Sequence, residues 1–354
     1  MNIDIGKFVN LSQKIPVAVL GATGAVGQRF VQLLADHPWF EVVALTGSER
    51  SVGKTYGETR WVLDGDPPAA ARQMTISRST PNLPAKLVFS ALPTHHAKEI
   101  EPSFAAAGYA VCSNASAYRQ SLGVPLIIPE VNGDHLRLIE GQRSAQGWPG
   151  LIVTSPNCTT TGLAMTLKPL DDAFGVRQVI VTTMQAVSGA GYPGVSYLDI
   201  DGNVIPYISG EEEKIENESR ILLGHIENGE RHAADFRVSA QANRVPVFDG
   251  HTLSIAASFM RKPTPEEAAR VLAEFPGLDL PSAPRHPVLV RSEADRPQPR
   301  RDRSAAEGMA VTVGRIRACP ILDLRMVSVV HNTLRGAASG SILNAELLVA
   351  EGYL

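Results

Sequence analysis

The chain has 354 residues, 44% of them apolar, and a formal net charge of −3. That length suits two domains with a large core, and so small a charge gives no electrostatic reason to bind nucleic acid or an anionic membrane. No apolar run reaches transmembrane length, the stretch Met1 to Lys14 carries Asp4 and no apolar signal core, and Cys112, Cys158 and Cys319 are too few for a disulfide framework, so a reducing cytoplasm is the simplest setting. No cysteine pair has metal-ligand spacing and His95-His96 lacks companion ligands nearby, so no metal site is expected.

In chain order, Ile15 to Leu20 predicts a buried strand that runs into Gly21-Ala22-Thr23-Gly24-Ala25-Val26-Gly27. A helix follows, with Val26, Phe30, Leu33 and Leu34 on one face. Strand, glycine turn and helix form a phosphate cradle: glycines admit a pyrophosphate and the helix N-terminus supplies N–H donors. Gly21, Thr23, Gly24, Ala25, Val26 and Gly27 are its expected contacts. The next strand, Phe40 to Leu45, ends at Thr46-Gly47-Ser48-Glu49-Arg50-Ser51. Ser48, Arg50 and Ser51 can bind a 2′-phosphate, which predicts NADP(H). The alternative has Glu49 holding a free ribose and Arg50 in solvent.

Lys86 to Pro93 predicts a core strand, Ala97 to Gly108 a helix and Ala110 to Asn114 the strand after it. The alternation implies an α/β fold with a parallel sheet. Cys112 lies within an apolar strand and reads as packing. Arg119, in a polar loop at that strand's end, is a candidate anion contact or a solvated charge.

Gly150 to Thr154 predicts another buried strand, followed by Ser155-Pro156-Asn157-Cys158-Thr159-Thr160-Thr161-Gly162 and a helix with Leu163, Leu167 and Leu170 in register. Cys158, with Asn157 before it as a further candidate catalytic residue, falls at the helix start. Unpaired N–H groups there favour a thiolate and can hold an oxyanion. A nucleophile is one reading and a buried structural cysteine the other.

Val179 to Val187 alternates like a strand and ends in a flexible glycine-rich loop, Ser188 to Gly194. Glu211 to Glu218 opens a charged helix that reads mostly as a solvated face. Asp249-Gly250 is a tight turn, which puts His251 at the mouth of the strand Thr252 to Phe259. A proton-transferring imidazole suits that position; so does a surface histidine. Thr264-Pro265-Glu266-Glu267 is a capping box, predicting a helix to about Phe275. Asp295 to Ser304 reads as an extended arm or loop, Met309 to Arg317 and Ile321 to Val330 as strands of a mixed sheet, and Thr333 to Leu348 as a last helix.

GATGAVG, SERS, SNASAYR, SPNCTTT, QAVSGAG, GEEEKIENE, RVPVFDGH and DRPQPR occur in this order over most of the chain. Together they resemble the aspartate-semialdehyde dehydrogenase family, in its archaeal and fungal branch. The resemblance implies a Rossmann NADP domain over residues 1–156, completed by a C-terminal helix within 332–354. It implies an α+β catalytic and dimerisation domain with a mixed sheet over 157–331. It casts Cys158 as nucleophile, His251 as acid/base, Gln185 as the residue orienting the acyl-enzyme, and Arg244 as the contact for the substrate α-carboxylate. Glu211 would lie near the substrate amine, Arg119 and Lys214 would hold phosphate, and Asn332, Ser188 and Gly189 would lie near the cofactor. The implied reaction is reversible reduction of L-aspartyl-4-phosphate to L-aspartate-4-semialdehyde by NADPH, in lysine, threonine and methionine biosynthesis. The partners implied are substrate, phosphate and a second copy, as homodimer or homotetramer.

An acyl-CoA reductase on this scaffold, such as one for malonyl-CoA, would keep Cys158 and His251 but need no phosphate pocket. A non-catalytic NADPH-binding regulator has no reason to keep Cys158, Gln185, Arg244 and His251 together. A cysteine hydrolase leaves the dinucleotide turn unexplained.

Overall fold

A computed structural model describes residues 13–354, so nearly all of the N-terminal stretch read as lacking a secretory signal lies outside the described residues. Six strands form one parallel sheet: β1 (Ile15–Leu20), β2 (Phe40–Thr46), β3 (Ile76–Ser77), β4 (Leu87–Ser90), β5 (Ala110–Ser113) and β6 (Leu151–Thr154), in the order β3-β2-β1-β4-β5-β6. Helices cover both faces, so β4, β5 and β6 are buried along their whole length. The order reverses between β1 and β4, and ligands of such sheets bind where their carboxyl ends diverge.

Helix α1 (Ala25–Leu34) starts there. Gly21 takes φ +72°, and a Cβ on Gly27 would fall 2.2 Å from the Gly21 carbonyl oxygen. Any larger residue at position 27 would push the helix off the strand and close the cradle. Helix α2 (Thr94–Ala106) begins three residues earlier than the sequence implies. Helix α3 (Leu138–Gln146) precedes β6, and α4 (Cys158–Phe174) follows it.

A second sheet holds β7 (Val176–Gln185), β10 (Arg237–Arg244), β11 (His251–Phe259), β12 (Val288–Arg291), β13 (Val311–Ala318) and β14 (Leu324–Val330), in the order β10-β7-β11-β14-β13-β12. It is mixed: β10 runs parallel to β7, whereas β11 is antiparallel to both β7 and β14. A small hairpin, β8 (His225–Glu227) with β9 (Glu230–His232), stands apart. Register decides what meets at one end of this sheet: Arg244 lies opposite Gln185, and His251 lies opposite Val330. Gln185, Arg244, His251 and the chain leading to Asn332 therefore share one edge.

Helix α5 (Glu211–Leu222) packs on β10, and α6 (Pro265–Ala273) starts at the expected capping box, where Thr264 accepts from the Glu267 amide. The last helix, α7 (Ala338–Ala350), begins five residues later than Thr333 and is buried on nearly every side. Ile342, Leu343 and Leu347 share a core with Phe30, Phe89 and Val153 of the first sheet's domain. Its Glu346 accepts from or pairs with His37 Nε2 at 2.8 Å.

Of the two readings of Asp295 to Ser304, the loop holds and the extended arm does not: it is a compact knot, with one short helical turn at Pro299–Asp302. Asp302, fully buried, gathers the Arg296 guanidinium and the Gln298 amide. Arg303 then donates to the Asp249 carbonyl at 3.1 Å, so the knot braces the turn before His251.

Candidate active site

A cleft of about 490 Å³ runs from the glycine cradle to the start of α4, lined among others by Ala25, Val26, Arg119, Cys158, Gly189 and Asn332. Cys158 is the first residue of α4, and Sγ lies 3.2 Å from His251 Nε2. The two are 93 positions apart in sequence. Helix start and strand mouth bring them together: α4 lies across β11 and β14, and a Cβ on Gly162 would strike Val330 at 2.7 Å.

The imidazole is held from behind. The Ala186 amide donates to Nδ1 at 3.1 Å, which leaves Nε2 to carry the neutral ring's proton toward sulfur. His251 is fully buried, and burial with the nearby Arg244 charge pushes its pKa down to about 3. Burial, helped by the Glu211 charge, pushes the Cys158 thiol up to about 12 against the pull of Arg119 and Arg244. Both shifts favour a thiol facing a neutral imidazole, against the pull toward a thiolate that a helix start exerts.

The helix start explains why. Asn157 is the N-cap, and its Oδ1 takes the Thr159 and Thr160 amides at 2.9 and 3.1 Å. The Asn157 amide itself donates to Glu218. Only the Cys158 N–H of this turn lacks a partner among the described residues, so one free donor and not several faces a thiolate or oxyanion there.

Asn157 Nδ2 donates to Glu211 Oε1 at 2.8 Å, which joins the first turns of α4 and α5. Glu211 and Glu218 are both buried, so the face of α5 read as solvated is in part packed against the start of α4. Lys214 is one-third exposed, pairs with Glu211 at 3.7 Å and does not line the cleft. Arg119 does line it. Arg119 is 8% exposed, donates through Nη2 to the Asn114 carbonyl at 2.8 Å, and has a buried Nε with no partner among the described residues.

Arg244 donates through Nη1 to the Ala186 carbonyl at 2.7 Å and stands beside Gly189, where a Cβ would lie 2.9 Å from Nη1 and 3.0 Å from the His251 ring. Gln185 is 2% exposed and its amide donates to Thr183 Oγ1 at 3.3 Å; like His251, Arg244 and Glu211 it lies behind the residues that line the cleft. Asn332 bridges two loops, donating to Ser188 Oγ at 2.8 Å and accepting from the Gly250 amide at 2.9 Å.

Several site residues went unread in the sequence. Glu218 is one, although its spacing of seven from Glu211 puts both on one helix face. Gly336 is another: a Cβ there would meet Cys158 Cβ at 2.6 Å, so the turn before α7 is packed flush against the nucleophile. The loop Gly191 to Val195 folds over the cleft, with the Arg60 guanidinium 4.5 Å from the Tyr192 ring centre.

The cradle fits a dinucleotide. Its glycines leave the space that side chains would fill, and Ala25 and Val26 of α1 open directly on the cleft. At the far end Ser48, Glu49 and Arg50 are exposed, and Glu49 is occupied by Arg78 through two bonds of 3.1 and 2.9 Å. Arg50 forms no ion pair among the described residues, and Gly47 brings Ser51 close to Thr23 of the cradle. At this end the Arg50 guanidinium is exposed and the Glu49 carboxylate is paired with Arg78.

Residues 16–139 match the family described as semialdehyde dehydrogenase, NAD binding domain, and residues 167–335 match semialdehyde dehydrogenase, dimerisation domain. The aspartate-semialdehyde dehydrogenase of Archaeoglobus fulgidus is 52% identical over 337 residues, which is 95% of this chain and 98% of that protein. The Schizosaccharomyces pombe protein of that name is 46% identical over 96% of this chain and 99% of its own length. The crystal structure of the Candida albicans enzyme with NADP superposes with a TM-score of 0.89 at 41% identity, covering 97% of this chain and 100% of that one. With this site geometry and likeness over nearly its whole length, the chain belongs to the aspartate-semialdehyde dehydrogenase family.

Proposed function

We propose that this protein reduces L-aspartyl-4-phosphate to L-aspartate-4-semialdehyde with NADPH, reversibly, through a thioester on Cys158. The observation that carries the reading is the 3.2 Å contact between Cys158 Sγ and His251 Nε2 in the cleft that opens on the glycine cradle.

Cys158 Sγ bonds the acyl carbon, the carbon–oxygen bond to phosphate breaks, and the phosphate departs toward Arg119 carrying the thiol proton. Lys214 can reach a leaving phosphate only by releasing Glu211. Bound NADPH supplies the hydride that reduces the thioester carbon. His251 Nε2–H hydrogen-bonds the oxygen as it becomes negative, and the Cys158 N–H is the second donor. As the carbonyl re-forms, the carbon–sulfur bond breaks, and the expelled thiolate takes a proton from solvent to restore the thiol. Arg244 offers the substrate α-carboxylate the donors it does not spend on Ala186, a fork that lysine lacks. Glu211, buried beside Asn157, would face the substrate amine. Gln185 would have to leave Thr183 to touch the acyl group, and its part is an orienting one.

The assay is semialdehyde oxidation with phosphate and NADP, with NAD and coenzyme A as controls. The reading expects phosphate-dependent turnover; turnover that needs coenzyme A instead of phosphate overturns it in favour of an acyl-CoA reductase. Arg50→Ala should raise KM for NADP by about ten- to a hundredfold, the worth of a charge-assisted hydrogen bond, and change KM for NAD less than about twofold. Equal effects on both cofactors would take Arg50 out of 2′-phosphate recognition. The match to a dimerisation family supports a homodimer, and sedimentation separates that from a homotetramer. No helix among the described residues is long and apolar enough to cross a membrane, and free Cys112, Cys158 and Cys319 suit a reducing compartment such as the cytoplasm.

A further inference from the structure

We infer that Glu218 is a positioning residue for the phosphate step, holding Arg119 in the anion pocket through one carboxylate oxygen while the other is anchored on the Asn157 amide. Glu218 is 1% exposed and does not line the cleft, so it does not meet substrate itself. A carboxylate buried so deeply stays charged only if partners replace its water. It has one on each oxygen. Oε2 accepts the Asn157 amide at 2.6 Å, and Oε1 accepts from Arg119 Nη1 at 3.3 Å.

These two partners sit on opposite sides of the chemistry. Asn157 caps α4 and immediately precedes Cys158, whereas Arg119 belongs to the loop after β5 in the other sheet's domain. Arg119 Nη2 is tied to the Asn114 carbonyl, and a second brace, Arg231 of β9, donates to the Arg119 and Gln120 carbonyls at 3.3 and 3.1 Å. The guanidinium is thus fixed along one edge by Glu218 and Asn114 while Nε stays free of partners. Nε is sealed from solvent, so a phosphate oxygen that takes this donor must open that contact but need displace neither anchor.

The isosteric amide introduced by Glu218→Gln cannot do this work. An amide has one accepting oxygen, and its NH2 must oppose either the Asn157 N–H or the Arg119 guanidinium, both donors. The inference rests on the reading of Arg119 as the phosphate contact, and a four-protein comparison separates the two. Wild type, Glu218→Gln, Arg119→Ala and the double variant are assayed for semialdehyde oxidation at varied inorganic phosphate and at varied semialdehyde. Arg119→Ala is expected to lower kcat/KM for phosphate about a hundredfold, and Glu218→Gln about tenfold with KM for semialdehyde changed less than about twofold. In the Arg119→Ala background, Glu218→Gln should cost less than about twofold more, because residues acting through each other are not additive.

If Glu218→Gln leaves kcat/KM for phosphate at the wild-type value, or costs the same tenfold with and without Arg119, the positioning role is overturned and the phosphate reading stands. If Arg119→Ala itself leaves phosphate dependence unchanged, the phosphate reading falls and takes the positioning role with it. Glu218→Asp, which keeps the charge but is one methylene short, is the second variant should the glutamine protein not fold. It should lower kcat/KM for phosphate at least about fivefold in wild type and not in Arg119→Ala; equal losses in both overturn the inference.

Discussion

Cys158→Ala is expected to lower phosphate-dependent semialdehyde oxidation by at least about 10⁴-fold while changing the dissociation constant for NADPH less than about twofold. The large first effect follows from the sulfur being the atom that carries the acyl group: without it phosphate must attack an aldehyde-level carbon with no thioester on the path. The small second effect follows from the fold. The cradle belongs to the β1–α1 turn, whereas Cys158 opens α4, whose place is fixed by Leu163, Leu167 and Leu170 in the other core. Cys158 lines the cleft, so the alanine widens the cleft and leaves no sealed cavity. Initial rates and a fluorescence titration with NADPH check both halves, and turnover within about a hundredfold of wild type removes Cys158 from the mechanism. The same sulfur predicts a pH response in the unmodified protein. With its thiol held up at about 12 by burial, the thiolate fraction rises tenfold for each pH unit below that value. Alkylation of Cys158 should therefore keep accelerating from pH 7 to about 10 and not level off near neutrality.

Much of this arrangement is legible in the sequence because it is written locally. The turn Gly21 to Gly27 lies between an apolar strand and an amphipathic helix, and one packing requirement, the 2.2 Å approach at Gly27, explains the glycine. Cys158 at a helix start and His251 after an Asp-Gly turn are likewise readable from a few neighbours. What is not legible depends on which face of an element meets another domain. The charges of α5 alternate through a sequence that looks solvated, yet Glu211 and Glu218 are 6% and 1% exposed because α5 packs on α4 and β10. Period alone does not say that a carboxylate will be turned inward toward an arginine 99 positions away.

The ionisation state of the nucleophile escapes a sequence reading for a related reason. A helix start predicts free N–H groups, but Asn157 and Glu218 consume most of them, and only the folded structure shows who has taken each donor. The knot at Asp295 to Ser304 is the same lesson with the sign reversed. A run rich in proline and arginine reads as an open arm until a fully buried Asp302 collects its charges.

His251→Ala should lower kcat about 10²- to 10⁴-fold, the usual worth of a positioned proton donor, with KM for semialdehyde changed less than about threefold because the proposed mechanism gives the carboxylate to Arg244 and not to His251. The ring's position makes a finer prediction. The Ala186 N–H fills the acceptor at Nδ1, so an imidazolium would set two N–H groups against each other, and Arg244 adds a like charge. A neutral ring with its proton on Nε2 is the stable form, and it contributes as a hydrogen-bond donor to sulfur and to the developing oxyanion. His251→Gln keeps such a donor at about the same reach and should recover about tenfold or more of the rate lost in alanine. The acid limb of kcat/KM in the wild type should show no titration near pH 6.5 that vanishes on removing His251, since that group gains its proton only near pH 3. An acid limb near 6.5 that disappears in both variants, with glutamine no better than alanine, would mean that the ring cycles through the imidazolium and that the Ala186 amide does not fix its proton.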